Sequence, residues 1–125
     1  MKLLPNFDQA VIAAEKLESY ALNNEHPYGK HKARVFKSAL EIESRHARVL
    51  AELIRKSLPR ATAKQGESKE YGDSWTTYHE IIGLNGQSAI VTVVWMYKKN
   101  APQIPELISC YIESRNQDRL RKLFE

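Results

Sequence analysis

The stretch that decides the fold runs from Ser88 to Lys98 and reads Ser-Ala-Ile-Val-Thr-Val-Val-Trp-Met-Tyr-Lys. β-Branched and aromatic residues dominate it, and such side chains favour the pleated, half-buried surface of a strand. The run therefore predicts the central strand of a sheet. The Asn85-Gly86 pair just before it is typical of a tight hairpin turn. Ser74–Ile82, rich in threonine and aromatic residues, is accordingly predicted as the antiparallel partner.

The turn also predicts a register for this hairpin. If Asn85-Gly86 forms a two-residue turn, counting outward pairs His79 with Thr92 and Thr76 with Trp95. His79 and Trp95 would then lie on opposite faces of the sheet.

Further elements are weaker in pattern. Asn100–Pro105 predicts a loop and Glu106–Glu113 a third strand. Ala61–Asp73 is polar and lacks periodicity, so it is predicted to form a loop or a short edge strand. The charged tail from Ser114 to Glu125 is expected to be a short docking helix or a frayed end, since its few apolar residues recur at helical spacing.

The N-terminal half has helical periodicity. One amphipathic helix is predicted over Val11–Leu22 and a second from about Gly29 to Leu40. After a break at Glu41–Ser44, a third helix runs to about Leu58, where Pro59 stops it.

Together these patterns predict one α+β domain over residues 1–125. Three N-terminal helices pack on a three- to four-stranded antiparallel meander, and a short C-terminal helix or tail follows. A chain of 125 residues with 42% hydrophobic content suffices for one core. The predicted core comprises apolar residues in phase with these elements: Leu17, Phe36, Leu40, Leu50, Ile54, Val91, Val93, Trp95 and Ile108.

Net charge and cysteine content limit the possible partners and the compartment. The net charge of +4 biases the chain mildly towards anionic partners such as nucleic acid. The single cysteine, Cys110, cannot form an internal disulfide, which fits a reducing compartment. No apolar run approaches the roughly 20 residues that span a bilayer, and Met1–Pro5 is too short in apolar residues for a signal peptide. A cytoplasmic protein without membrane contact is therefore expected.

The most concentrated functional feature is the basic cluster Lys30, His31, Lys32 and Arg34, at the predicted start of the second helix. Backbone N–H groups and the helix dipole favour an anion there. The cluster is therefore interpreted as a phosphate-binding turn whose cationic heads converge on one anion. The alternatives are a solvated basic face and lysines that pair with Glu41, Glu43 or the carboxylates of the tail.

The four histidines do not match any metal-ligand spacing, so neither a metal nor another cofactor is predicted. His31 and His79 are the candidate acid/base groups because imidazole titrates near neutrality. His26 is assigned to a turn, and His46 to the exposed surface of the third helix.

Aromatic residues on the predicted strands allow two interpretations. Trp75, Trp95, Tyr97 and Tyr111 could stack nucleobases, although rings on a sheet are more often core. Tyr111, or else Tyr71, is the candidate for orienting a scissile phosphate.

The string Gly29-Lys30-His31-Lys32-Ala33-Arg34-Val35-Phe36, with Leu4-Pro5-Asn6, Tyr71-Gly72, Val93-Val94-Trp95 and Leu107–Tyr111, resembles a bacterial family defined only as a domain of unknown function. The resemblance covers about nine-tenths of the chain. It implies a small protein beside a short companion reading frame, or the end of a large toxin-like polypeptide. The chain departs from the family at Glu41, where a turn glycine is expected, and in its charged tail.

The order of helices followed by an antiparallel sheet is also similar to the ribonuclease toxin superfold of barnase, colicin nucleases and RelE, which is a fold-level analogy. The leading hypothesis is a toxin-type, metal-independent endoribonuclease controlled by a small cognate regulator protein. His31, His79 and Tyr111 would be catalytic, and Lys30, Lys32 and Arg34 would hold RNA phosphate. The alternative is a non-enzymatic binding module, either the antidote of a toxin pair or a nucleic-acid-binding accessory.

Overall fold

A computed structural model describes residues 2–23, 25 and 30–125. The α+β prediction is confirmed: helices come first, a four-stranded antiparallel meander follows, and a short helix closes the chain. No helix of the described ranges is long and apolar enough to cross a bilayer. The elements are α1 (Ala14–Lys16, continued by a π-helical turn over Leu17–Ala21), α2 (Lys30–Leu40), α3 (Ala47–Ser57), β1 (Thr62–Lys69), β2 (Gly72–Ile82), β3 (Ser88–Lys98), β4 (Pro105–Tyr111) and α4 (Gln117–Arg121).

The sheet has the strand order β1-β2-β3-β4, and its core lies on the face that packs against α2 and α3. Of the nine predicted core residues, eight are buried, and only Ile108 is exposed, at 40%. Trp95 and Phe36 are the largest side chains of this core that are fully buried. The core therefore forms where the apolar faces of the helices meet the central strands.

The predicted hairpin register is wrong by one residue. His79 pairs with Val91 and Trp75 with Trp95, so His79 and Trp95 share the core face. The turn is longer than two residues. It extends from Gly83 to Gln87, and the Gly83 N–H bonds Gln87 O at 2.7 Å.

Tertiary contact explains this longer turn. Leu84 N–H donates to Leu40 O at 2.9 Å, and Asn85 Nδ2 donates to Ala39 O at 3.2 Å. A side chain at Gly83 would overlap the backbone of Leu40. The turn therefore caps the carbonyl end of α2, and this docking fixes the register.

Ile108 is exposed because β4 contains a bulge. Val94 pairs with Ser109 but Trp95 pairs with Leu107, which leaves Ile108 as the extra residue. A bulge inverts the alternation of side chains along a strand. Leu107 and Cys110 are consequently buried in the core, at 1% and 0% exposure.

The two segments of ambiguous pattern are both ordered elements. The polar segment after Ala61 contains the edge strand β1, which is exposed along most of its length. The tail docks through α4 against β3. There the side-chain amide of Gln117 bonds the backbone N–H and C=O of Ile90, and Arg121 bonds Ser88.

Two helix termini depend on single residues. Glu41 closes α2 in the left-handed conformation, with φ of 57°, and its N–H bonds Lys37 O at 3.0 Å, the single bond of an αL cap. The expected turn glycine falls at this position because glycine adopts that φ without strain. His46 is half-buried rather than exposed as predicted, because its Nδ1 accepts the Glu43 N–H at 3.0 Å and caps the turn before α3.

Candidate functional site at the edge of strand β4

A lysine and two tyrosines meet where α1 and α2 approach the edge strand β4. The Nζ atom of Lys32 lies 3.1 Å from Ser109 Oγ, 5.0 Å from the centre of the Tyr111 ring and 5.8 Å from that of Tyr20. These ring distances are typical of cation–π contacts. The ion pairs among the described residues do not include Lys32. Its charge therefore lies beside a hydroxyl group and two aromatic rings, and none of the described carboxylates is within ion-pair distance of it.

Tyr111 continues into a row of polar side chains on the outer face of the sheet. Thr92 pairs with Tyr78 on one side and with Tyr111 on the other, so the three share a face. Thr92 Oγ1 donates to Glu113 Oε2 at 3.3 Å. Arg119, in α4, lies close enough to act electrostatically on Tyr78. We call Lys32, Ser109, Tyr111, Tyr78, Thr92, Glu113 and Arg119 the edge site.

The tyrosine hydroxyls of the edge site remain protonated at neutral pH. Burial raises the pKa of Tyr111, and the charges of Glu113 and Tyr78 raise it further. Burial also raises the pKa of Tyr78, as does Glu113, while Arg119 acts in the opposite direction. Both hydroxyls are therefore hydrogen-bond donors. Together with two cations and a carboxylate, they are groups of the kinds that bind and polarise phosphodiesters in proteins.

The predicted basic cluster does not converge on one point. Lys32 faces β4, whereas Arg34 lines a hollow on the other side of α2 with Lys37 and Glu43. Residues two apart on a helix point in different directions, which explains the divergence. Lys30 and His31 are exposed on the first described turn of α2, and Gly29 lies outside the described residues. Of the three predicted phosphate ligands, the structure brings only Lys32 to Tyr111.

The structure separates His79 from His31 and Tyr111 and places it in the core, at 0% exposure. Its Nδ1 lies 2.7 Å from Ser57 Oγ and its Nε2 lies 2.6 Å from Thr77 Oγ1. Trp95 Nε1 donates to Thr77 Oγ1 at 2.8 Å. Ser57 Oγ donates onward to Leu53 O at 2.8 Å.

These bonds assign one tautomer to the ring of His79. Since Ser57 Oγ donates its one proton to Leu53 O, it must accept from Nδ1–H of His79. Nε2 then accepts the hydroxyl proton of Thr77. Desolvation by burial lowers the pKa of His79 to about 3. The imidazole is therefore neutral, and both of its nitrogens are engaged in hydrogen bonds inside the core. A substrate cannot reach it.

The other predicted candidates also have defined places. Of the four aromatic residues that were candidates for stacking nucleobases, Trp75, Trp95 and Tyr97 are buried. Tyr111 is the one of these four that a nucleobase could reach. Tyr71 is exposed in the β1–β2 turn and borders a separate hollow with Gly66 and Met96. His26 lies outside the described residues. Within residues 2–23, 25 and 30–125, no group of three or more His, Cys, Asp or Glu side chains could hold a metal ion.

Sequence reasoning missed Ser109, Tyr78, Thr92, Glu113 and Arg119. Their common signal is a polar residue facing away from the core on a strand, or just after one, where sequence alone suggests a solvated face. The bulge at Ile108 shifts the alternation of side chains on β4, so the sequence pattern does not show which face they take. Arg119 joins the site only because α4 docks on the sheet. Only pairing across three strands brings these groups together.

These features define a class: a single-sheet α+β domain that carries a cationic, hydroxyl-rich site at the edge of its meander. The chain belongs to the family described as Domain of unknown function (DUF6883), whose model matches residues 3–114. The matched range contains the whole sheet and ends just before α4. The sequence matches no curated protein.

One solved structure is similar to the chain. It is a chain of the contact-dependent growth inhibition toxin–immunity protein complex from Klebsiella pneumoniae 342. The two share 17% identity and superpose with a TM-score of 0.56, over 87% of this chain and 97% of that chain. At this identity the likeness establishes a shared fold.

Proposed function

We propose that this chain is the toxin of a toxin–immunity pair, a small metal-independent endoribonuclease controlled by a protein partner. The observation that carries the proposal is the ammonium of Lys32, which lies beside Ser109 and Tyr111 without a carboxylate in ion-pair contact among the described residues. The structural likeness to a chain of a toxin–immunity complex supports the class of partner.

The chemistry needs a base, an acid and cations on the phosphate. A base takes the proton of the ribose 2′-hydroxyl, O2′ attacks phosphorus, and the P–O5′ bond breaks. An acid returns a proton to O5′, which leaves a 2′,3′-cyclic phosphate and a 5′-hydroxyl. No metal is required in this sequence of steps.

Residues of the edge site are assigned to these roles. Lys32 holds a non-bridging phosphate oxygen, and the Tyr111 hydroxyl donates to the same group. His31, exposed on α2 next to Lys32, supplies one acid/base group. Glu113 supplies the second, in place of the buried His79. Lys30 and Arg34 contact phosphates farther along the strand, since their side chains are exposed on α2.

The second candidate is a non-enzymatic binding module, the antidote of such a pair or a nucleic-acid-binding accessory. The burial of His79 favours it, because only one of the two predicted acid/base histidines remains accessible. A binding module needs the cations of the edge site but no poised acid and base. The two candidates therefore differ in turnover, not in binding.

The test is cleavage of total RNA, and of a short oligoribonucleotide, by the full chain in the presence of a chelator. Wild type should produce 2′,3′-cyclic phosphate ends and leave a 2′-deoxy substrate intact. Lys32→Met, His31→Ala and Glu113→Gln should each lower kcat/KM by about 10²-fold or more. Lys37→Met is the matched control, since Lys37 is on the same helix and faces away from β4.

Intact RNA with the wild-type protein would overturn the enzyme and leave the binding module. Equal cleavage by wild type and Lys32→Met would remove the edge site as the catalytic centre. Circular dichroism of each variant establishes that the fold is retained.

A further inference from the structure

A cleft of about 270 Å³ opens directly beside Lys32, between the π-helical turn of α1 and the edge of β4. Its lining combines apolar side chains with hydroxyl groups. Two of its lining residues, Tyr20 and Ser109, are contacts of the Lys32 ammonium. The other lining residues that bear on the ligand are Leu17, Ser19, Leu107 and Cys110.

The cleft follows from the way the edge of β4 is covered. Val11 pairs with β4 at Glu106 through hydrogen bonds to Pro105 O and Leu107 N–H, and the chain then turns away into α1. Beyond that point the bulge at Ile108 interrupts the regular strand edge. Helix and strand therefore diverge just before Ser109.

The chemistry of the walls defines the ligand. Leu17, Leu107 and Cys110 are buried and apolar, and burial raises the pKa of the Cys110 thiol to about 12, so it stays neutral. Tyr20, which is 42% exposed, contributes an aromatic ring to the lining. Ser19 Oγ donates to Glu15 O at 2.6 Å and can still accept, whereas Ser109 Oγ accepts from Lys32 and can still donate. A flat, uncharged ring with polar edges matches this lining.

The volume of the cleft and the charge of Lys32 restrict the possible ligands further. Sites for drug-sized ligands begin at about 300 Å³, so 270 Å³ suits a single ring system rather than a whole nucleotide. A phosphate held by Lys32 would lie at the mouth of the cleft. The remainder of a nucleotide would then extend inwards.

We propose that this cleft binds the nucleobase adjacent to the phosphate held by Lys32, and that it sets the base preference of the protein. The inference rests on the proposed function for the identity of the phosphate. A base stacked on Tyr20, with its edge at Ser19 or Ser109, would be selected by hydrogen bonds as well as by stacking.

The experiment compares ligands with and without a base. The four nucleoside 3′-monophosphates and ribose 5-phosphate are titrated into the full chain, and binding is followed by calorimetry. At least one nucleotide should bind about tenfold or more tightly than ribose 5-phosphate, the range that stacking on an aromatic ring gives. Lys32→Met should weaken the binding of nucleotides and of ribose 5-phosphate to the same extent.

Ser19→Phe should fill the cleft and remove the advantage of nucleotides over ribose 5-phosphate. Ser38→Phe is the matched control, because Ser38 is exposed on α2 away from the cleft. Tyr20→Ala, which removes the stacking surface, tests the same point should Ser19→Phe fail to fold. Equal binding of nucleotides and ribose 5-phosphate by wild type, or an unchanged preference in both cleft variants, overturns the inference.

Cleavage separates this proposal from the preceding one. If RNA stays intact while base-dependent binding persists, the ribonuclease proposal fails and the base site stands. If RNA is cleaved but wild type and Ser19→Phe show the same base preference at the cut, the base site fails and the ribonuclease proposal stands.

Discussion

The centre of the sheet and the edge of β4 hold similar polar groups in opposite circumstances. At the centre, the imidazole of His79 lies between two hydroxyls, and the chain of bonds runs from Trp95 to a backbone carbonyl. At the edge, Lys32 has three N–H donors, and its bond to Ser109 uses one of them. Among the described residues, every buried side-chain nitrogen and oxygen has a partner.

The difference shows how solvent access assigns different roles to similar polar groups. A buried polar group costs free energy unless its bonds are complete, so the central groups are committed to each other. A half-buried cation at an edge can retain unused donors because water supplies the missing bonds. The central network therefore contributes to stability, and the edge site is where a ligand can bind.

The largest effect is expected from removing the central imidazole. His79→Ala should lower the free energy of unfolding by about 2–5 kcal/mol, since it opens a cavity and removes one hydrogen bond each from the buried hydroxyls of Ser57 and Thr77. His31→Ala is the matched control and should cost less than about 0.5 kcal/mol, as exposed positions do. Urea denaturation measures both. Similar losses in the two variants would contradict the contrast between centre and edge.

The second largest effect is expected from acid, which should lower the free energy of unfolding through His79. The pKa of His79 is about 3 in the folded protein and about 6.5 when unfolded, so the unfolded chain binds the proton more readily. The stabilisation is therefore complete above pH 6.5 and is lost as the pH falls towards 3. The slope approaches about 1.4 kcal/mol per pH unit, and unfolding at pH 6.5, 5.5 and 4.5 measures it. A stability that stays constant over this interval would show that the imidazole titrates freely.

The smallest effect on stability is expected at the edge. Tyr111→Phe should change the free energy of unfolding by less than about 0.5 kcal/mol, while it lowers RNA cleavage about tenfold or more. Tyr97→Phe is the inverse control. It removes a buried bond to Pro5 O and should cost about 1 kcal/mol without affecting cleavage. A stability loss at Tyr111 equal to that at Tyr97 would show that Tyr111 is structural.

Local pattern accounts for much of the fold. The bounds of β3 and the end of α2 agree with the sequence prediction, because β-branched runs and amphipathic periods act within a few residues. Eight of nine core residues follow from the same periodicities. His31, Lys32 and Tyr111 could be selected as candidates because an imidazole, a cation and a phenol supply the proton transfer and the charge that phosphate chemistry needs.

What the sequence by itself determined is the order of the elements and the face that the helices and β3 present to the core, because both depend on periodicity within one element. Only the tertiary structure decided the hairpin register, the exposure of Ile108 and the separation of His79 from Lys32. The register depends on a turn that caps α2, and Ile108 on a bulge between strands. The edge site is assembled from β2, β3, β4, α2 and α4. Its geometry arises only when these distant segments pack together.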